Sequence, residues 1–215
     1  MRNRGMWEIP RRERTPCVAR VGMTLVELVV VIGITGLVLL AVGMWQANLF
    51  RYNTALSDQL TSQHEARQTI LIMTHELRTA ITAATGAYPL ESLTGTQLIF
   101  YSNIDEEVDI ERIRYVLNGS VLQKGVIKPS GNPVTYSGTE TMTTLANHVT
   151  NGATPIFAYY DSSYTGSENA LAMPVNPNVV RYVEIMLIID KDTNRPPAAI
   201  QVRSGVSLRN LKDNL

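Results

Sequence analysis

The longest uncharged stretch of the chain runs from Leu28 to Phe50, and its first 18 residues, Leu28 to Trp45, are almost all apolar. As a helix this stretch rises roughly 35 Å, enough to cross a hydrocarbon layer of about 30 Å. Beyond Phe50 the pattern turns amphipathic. Leu49, Leu56, Leu60, Ile70, Met73, Leu77 and Ile81 recur at steps of three, four or seven, with one missed position between Leu60 and Ile70. Arg51, Asp58, Glu65, Arg67 and Glu76 fill the intervening positions. That is the period of a helix with one buried stripe. No proline or glycine interrupts residues 44–85, and Gly86 and Pro89 supply the stop. The pattern predicts one helix from Met23 to about Ala84, roughly 90 Å long.

From residue 95 onward the texture changes to β. Gln97–Ser102 is short, aromatic and β-branched, and Glu111–Leu117 alternates Ile113, Tyr115 and Leu117 with Arg112 and Arg114. Asn118-Gly119 follows directly, the pair that tolerates positive φ in a type I′ hairpin turn, with Val121–Ile127 as the partner strand. Pro155–Asp161 is a further strand. Ser162–Asn178, rich in serine, asparagine, proline and glycine, is a loop. Val179–Ile189 is apolar on both faces, as in the centre of a sheet. Ile200, Val202, Val206 and Leu208 alternate with Gln201, Arg203, Ser207 and Arg209, as in a half-buried strand. The chain therefore reads as α+β: a long N-terminal helix, transmembrane and then amphipathic, packed on an antiparallel β-sheet domain.

Charge adds a direction to this layout. The 215 residues carry 19 basic and 19 acidic side chains, for a formal net charge of zero. Residues 1–22, however, hold Arg2, Arg4, Arg11, Arg12, Arg14 and Arg20 against Glu8 and Glu13, which leaves 13 basic and 17 acidic residues in the remainder. The positive-inside rule places residues 1–22 in the cytoplasm and the rest outside. A mildly acidic outer part lacks the basic face that nucleic acid requires. The single cysteine, Cys17, lies in the basic segment, so the rest of the chain depends on packing without disulfides. A secretory signal peptide fits poorly, because the apolar run is too long and no A-x-A-like site follows it.

Glu27 stands at the edge of the apolar helix, where a carboxylate costs a few kcal/mol and calls for a partner. It closes the string Gly22-Met23-Thr24-Leu25-Val26-Glu27. With a basic segment before it and an apolar helix after it, this string resembles the type IV prepilin signature. The resemblance implies that a prepilin peptidase cuts after Gly22 and N-methylates the new terminus at Met23. It also implies that Glu27, fifth residue of the mature chain, pairs with the terminal ammonium of a neighbouring subunit during assembly. Residues 1–22 would be the cytoplasmic leader, 23–50 the membrane and filament-core half of the helix, 51–85 its amphipathic half, and 86–215 a β-rich head outside the cytoplasm. At 22 residues the leader is long for the family, and no helix proline precedes Pro89, so Gly33, Gly36 and Gly43 supply the flexibility.

The stretch Ala66-Arg67-Gln68-Thr69 through Glu76-Leu77-Arg78, with the ending Val206-Ser207-Leu208-Arg209-Asn210, is similar to J-type minor pseudopilins of type II secretion and W-type minor pilins. Such subunits initiate assembly at the tip of a pseudopilus or type IV pilus, serving protein secretion, adhesion or DNA uptake. The partners so implied are the peptidase, other major and minor pilins or pseudopilins, the inner-membrane assembly platform and membrane lipid. The alternative from a different class is a monomeric, single-pass, membrane-anchored binding protein with an uncleaved leader.

Other chemistry is sparse. His75-Glu76 begins like a zinc-protease helix, but Thr79 stands where the second histidine belongs, so His64 and His75 read as exposed or packed helix positions; His148 is the third histidine. No P-loop, G-x-S-x-G or G-x-G-x-x-G string occurs, and no enzyme activity or cofactor is expected. Asp190, Asp192 and Asn194 are spaced like the first half of a calcium loop, yet Arg195 and Gln201 stand at its glycine and glutamate positions, so a polar hairpin loop fits better. Asp105, Glu106, Glu107 and Asp109 form an acidic turn open to calcium or a basic partner. Tyr159, Tyr160 and Tyr164 are candidates for stacking on a carbohydrate or another substrate.

Overall fold

The computed structural model describes residues 22–105, 107–193 and 198–208. These fall into two compact units that divide between Phe50 and Arg51. Helix α1, Leu25–Arg78, begins in the first unit and ends in the second. In the first unit it is long and apolar enough to cross a membrane, and none of its apolar window is buried. In the second unit it packs on two antiparallel sheets. Strands β1 (Leu90–Leu93), β2 (Gln97–Ser102), β3 (Glu111–Asn118), β4 (Val121–Ile127) and β5 (Thr141–Ala146) form a five-stranded meander in that spatial order. Strands β6 (Phe157–Tyr160), β7 (Tyr182–Ile189) and β8 (Ile200–Ser207) form the second sheet, with β7 in the middle.

α1 stops at Arg78, earlier than the sequence pattern predicts, because the chain is captured by a strand. Thr79 Oγ1 bonds back to the Glu76 carbonyl at 2.9 Å and meets the Ser102 hydroxyl at 2.8 Å. Ala80 then bridges to Ser102, and the Ile81 amide donates to the Tyr101 carbonyl at 2.9 Å. Pairing with β2 thus overrides helix propensity in residues 79–84.

The buried stripe of α1 is Ser62, Ala66, Thr69, Ile70, Met73, Thr74 and Leu77, at steps of three and four. Only Ile70, Met73 and Leu77 of the predicted stripe belong to it. Leu56 is 57% exposed, Leu60 67% and Ile81 41%. The missed position in the pattern is a phase slip: ten residues from Leu60 to Ile70 fall about 80° short of three full turns. Small and polar residues carry the true stripe between them. Thr69 donates its hydroxyl to the Leu145 carbonyl at 2.8 Å, which satisfies the one polar atom it buries.

The strands differ from expectation in detail. β1 and β5 are additional: β1 carries an irregularity between Leu90 and Ser92 that breaks its alternation, and β5 is a threonine-rich edge exposed from Thr141 to Thr144. The β3–β4 turn is shifted by one residue. Asn118 pairs with Val121, so Gly119-Ser120 is the two-residue loop, and only Gly119 takes positive φ, at +62°. Glycine at the first central position is the mirror type II arrangement rather than type I′. β7 buries one face only, Val183, Ile185, Leu187 and Ile189, while Tyr182, Glu184, Met186 and Ile188 lie half-buried on the other. Apolar Met186 and Ile188 on the outer face made this strand read as two-sided.

One cluster joins the helix and both sheets. It includes Ala66, Ile70, Met73 and Leu77 of α1, Leu98, Phe100, Ile113, Tyr115 and Leu122 of the first sheet, and Phe157, Tyr159, Val183, Ile185, Leu187 and Val206 of the second. Tyr159 donates its hydroxyl to the Thr94 carbonyl at 2.8 Å, linking β6 to the β1–β2 turn. β6 covers only part of β7, and buried Asn151 completes the rest. Its Nδ2 donates to the Met186 carbonyl and its Oδ1 accepts from the Ile188 amide, both at 2.9 Å.

The helix phase makes a direct prediction. Met73→Ala should destabilise the detergent-solubilised chain by about 3 kcal/mol, whereas Leu60→Ala should change it by no more than about 0.5 kcal/mol. Urea unfolding followed by near-ultraviolet circular dichroism reads the difference. Equal losses at the two positions would refute the assigned phase.

Candidate functional site

The beginning of α1 is organised by Thr24. Its Oγ1 accepts the Glu27 amide at 3.2 Å, and its carbonyl accepts the Leu28 amide at 3.1 Å. A threonine that accepts the N–H three residues on is a helix N-cap, and Thr-x-x-Glu is the spacing of a capping box. Gly22, Met23 and Thr24 consequently stay outside the helix and are exposed. Nothing lies within 4 Å of the point where a Cβ on Gly22 would sit. Helical rise therefore does not describe the step from Met23 to Glu27, as the sequence pattern had suggested. Glu27 is exposed in the first turn, where the helix dipole favours a carboxylate. The arrangement is an exposed Gly22–Met23 peptide bond followed by a capped apolar helix. Residues 1–21, with Cys17, lie outside the described residues.

Several charged groups of the β-rich part are paired, with one another or with α1. Glu76 of α1 accepts Lys124 Nζ of β4 at 2.5 Å and the hydroxyl of buried Tyr115 of β3. Burial, then the Glu76 charge, push the Tyr115 hydroxyl well above the usual phenol range. Glu76, half of the would-be zinc pair, is thereby committed to the sheet. Arg112 grips Glu91 through two bonds at 2.6 and 2.7 Å, and Tyr101 adds a third at 2.6 Å. The Arg112 bond holds the Glu91 carboxyl below the usual carboxylate range. Arg114 likewise grips Glu140, at 2.5 and 2.7 Å, over Gly125 of β4. A Cβ at residue 125 would collide with that carboxylate.

The acidic turn after β2 finds its cation within the chain. Lys128 Nζ lies 2.9 Å from Asp105 Oδ2 and 2.5 Å from Glu107 Oε2. Glu106 lies outside the described residues. Sequence reading missed Glu111, which is fully buried at the start of β3. One of its oxygens accepts the Ile104 amide at 3.1 Å, and the other has no partner. Burial pushes its carboxyl above the usual carboxylate range, and the Asp105 charge beside it adds to the shift. The alternation of the strand carried the signal, because Glu111 stands in the same phase as buried Ile113 and Tyr115.

The second candidate calcium segment is a turn, in which Asp190 Oδ1 accepts the Asp192 amide at 3.1 Å. Asn194 lies outside the described residues. Among the described residues no three histidine, cysteine, aspartate or glutamate side chains converge as a metal site. The tyrosines separate as well. Tyr159 is buried in the core, while Tyr160 and Tyr164 stack at 4.0 Å between ring centres. They are joined by Tyr182, 4.8 Å from Tyr164. Tyr160 donates to Glu184 at 2.9 Å, and burial with that bond pushes its hydroxyl up to about 12. The cluster pins the loop after β6 to the outer face of its sheet. His64 and His75 are exposed on α1. His148 takes a positive φ of 56°, and its carbonyl accepts the Asp190 amide at 3.0 Å.

Comparison of the chain with protein families and with curated proteins returned no match.

Glu111 gives a pH prediction whose sign follows from its raised pKa. The folded state holds this proton more tightly than the unfolded chain, so its stabilising share is complete below the ordinary carboxylate pKa. It is lost as pH rises through the folded value. Glu111→Gln should therefore raise the unfolding midpoint at pH 7 and leave it nearly unchanged at pH 4. A thermal melt at each pH reads both, and a variant less stable than wild type at pH 7 would overturn the assignment.

Proposed function

We propose that this chain is a minor pilin-like or pseudopilin-like filament subunit, processed by a prepilin peptidase and assembled into a type II secretion pseudopilus or a type IV pilus. The observation that carries the reading is the string Gly22 to Glu27, set directly ahead of an uncovered apolar helix. The N-cap at Thr24 supports it, because the Gly22–Met23 bond then lies in exposed, non-helical chain. Cleavage turns the Met23 amide into an ammonium group, which the peptidase N-methylates. In a low-dielectric filament core this cation attracts Glu27 of an adjacent subunit far more strongly than in water, and that attraction sets register. The head, on the distal part of α1, is carried outside the cytoplasm. As a minor subunit the chain acts at the tip, where it starts assembly with other minor subunits and serves secretion, adhesion or DNA uptake.

Two variants test this. Gly22→Ala should block processing, so that the full-length form accumulates in the membrane; normal processing would refute the prepilin reading. Glu27→Ala should be cleaved normally yet be lost from sheared filaments by about tenfold or more, as expected for an unpaired charge in an apolar core. Mass spectrometry of the N-terminal peptide and quantitative blotting of the filament fraction read the two outcomes. Undiminished incorporation of Glu27→Ala would remove charge pairing from the mechanism.

A further inference from the structure

Two asparagines of the chain precede glycine, Asn118 and Asn151. This pairing is the one most open to ring closure, because glycine has no Cβ to keep its amide nitrogen from the asparagine Cγ one residue back. The two glycines are alike. Gly119 and Gly152 take φ of +62° and +57°, both are exposed, and nothing lies within 4 Å of where a Cβ on either would sit. The asparagines differ. Asn118, the last residue of β3, is exposed, and its side chain has no hydrogen bond among the described residues. Asn151 is 4% exposed, with Nδ2 donating to the Met186 carbonyl and Oδ1 accepting the Ile188 amide, both at 2.9 Å. Its amide cannot turn toward the Gly152 nitrogen without giving up both bonds and baring part of β7. At Asn118 the movement needs only the end pair of the β3–β4 ladder, Asn118 with Val121, to open.

We infer that Asn118 is a site of spontaneous deamidation in the folded protein, converting with age to aspartate and isoaspartate, and that the fold protects Asn151 from the same reaction. The Gly119 nitrogen attacks Asn118 Cγ and gives up its proton to solvent. The Cγ–Nδ2 bond breaks, ammonia leaves, and a five-membered imide remains. Water then opens the ring. Addition at Cγ gives aspartate in the ordinary chain, and addition at the Asn118 main-chain carbonyl carbon gives isoaspartate, with the chain routed through Cγ. The sum is one water taken up and one ammonia released, with nothing oxidised or reduced. Either product places a carboxylate, ionised at neutral pH, where a neutral amide stood. At the hairpin tip that charge meets solvent and leaves the core untouched. At Asn151 it would replace the donor to the Met186 carbonyl with a second acceptor. The position open to the reaction is therefore the one where the fold tolerates its product.

The test keeps the detergent-solubilised full chain in warm, mildly alkaline buffer, with a parallel sample in urea. Peptide mass spectrometry reads the gain of about 1 Da at each asparagine, and electron-transfer fragmentation separates the two products. In the folded chain Asn118 should convert roughly tenfold or more faster than Asn151, whereas in urea the two rates should come within about twofold. Both aspartate and isoaspartate should accumulate at position 118. Asn118→Asp should melt within about 2 °C of wild type. Equal rates at the two asparagines in the folded chain would overturn the inference. So would an Asn118 left intact in the folded chain over the time that converts it in urea. Aspartate without isoaspartate would remove the ring-closure step, and a melting point lowered by several degrees in Asn118→Asp would remove the tolerance. The chemistry needs neither cleavage after Gly22 nor a filament, so the N-terminal peptide of the same digest bears on the proposed function alone.

Discussion

The head depends on a single line of side chains, Ala66, Ile70, Met73 and Leu77, which backs both sheets at once. No described residue is a cysteine, so no disulfide holds the two sheets to each other. Packing against α1 and the Tyr159 bond to the β1–β2 turn do that instead. Interiors at crystal-like density tolerate little slack, so the rotation of the helix about its axis is fixed by this line. The Glu76 carboxylate locks the same rotation by a second means. With Lys124 on one oxygen and Tyr115 on the other, it is satisfied in one rotational setting only.

Fixing the rotation also decides which side chains remain outside. Each carboxylate of the outer helix reaches a head residue, and the arginines are left facing away. The division is a consequence of phase. Had the stripe run through Leu56 and Leu60 as the leucine spacing implies, those leucines would be core and the arginines would flank the head.

That phase error shows how far the sequence could be read. The long helix, its uncharged first half and the β texture of the head were legible, because each rests on long periodic runs or on length alone. The stripe was misplaced because Ser62, Ala66 and Thr69 are small enough to sit against a sheet yet carry almost no hydropathy signal. β1 and β5 were missed because one is irregular and the other is an exposed row of threonines. The end of α1 was missed because a distant partner, Ser102, decides it. At the N-terminus the string Gly22 to Glu27 was plain in the sequence. The role of Thr24 as the cap that holds Gly22 and Met23 outside the helix needed coordinates. The third member of the tyrosine cluster, Tyr182, also required the fold to bring distant residues together.

Asn151 has an effect that reaches beyond the stability of one side chain. β6 is four residues long, so half of β7 would otherwise present a bare row of amides and carbonyls to solvent. Asn151 takes the Met186 carbonyl and the Ile188 amide. The Thr150 amide takes the Ile188 carbonyl at 2.8 Å, and the Ile156 carbonyl takes the Met186 amide at 2.8 Å. Together these groups close an edge on which another chain's strand would add itself. A second copy of the chain is thereby denied a strand edge on which to add itself.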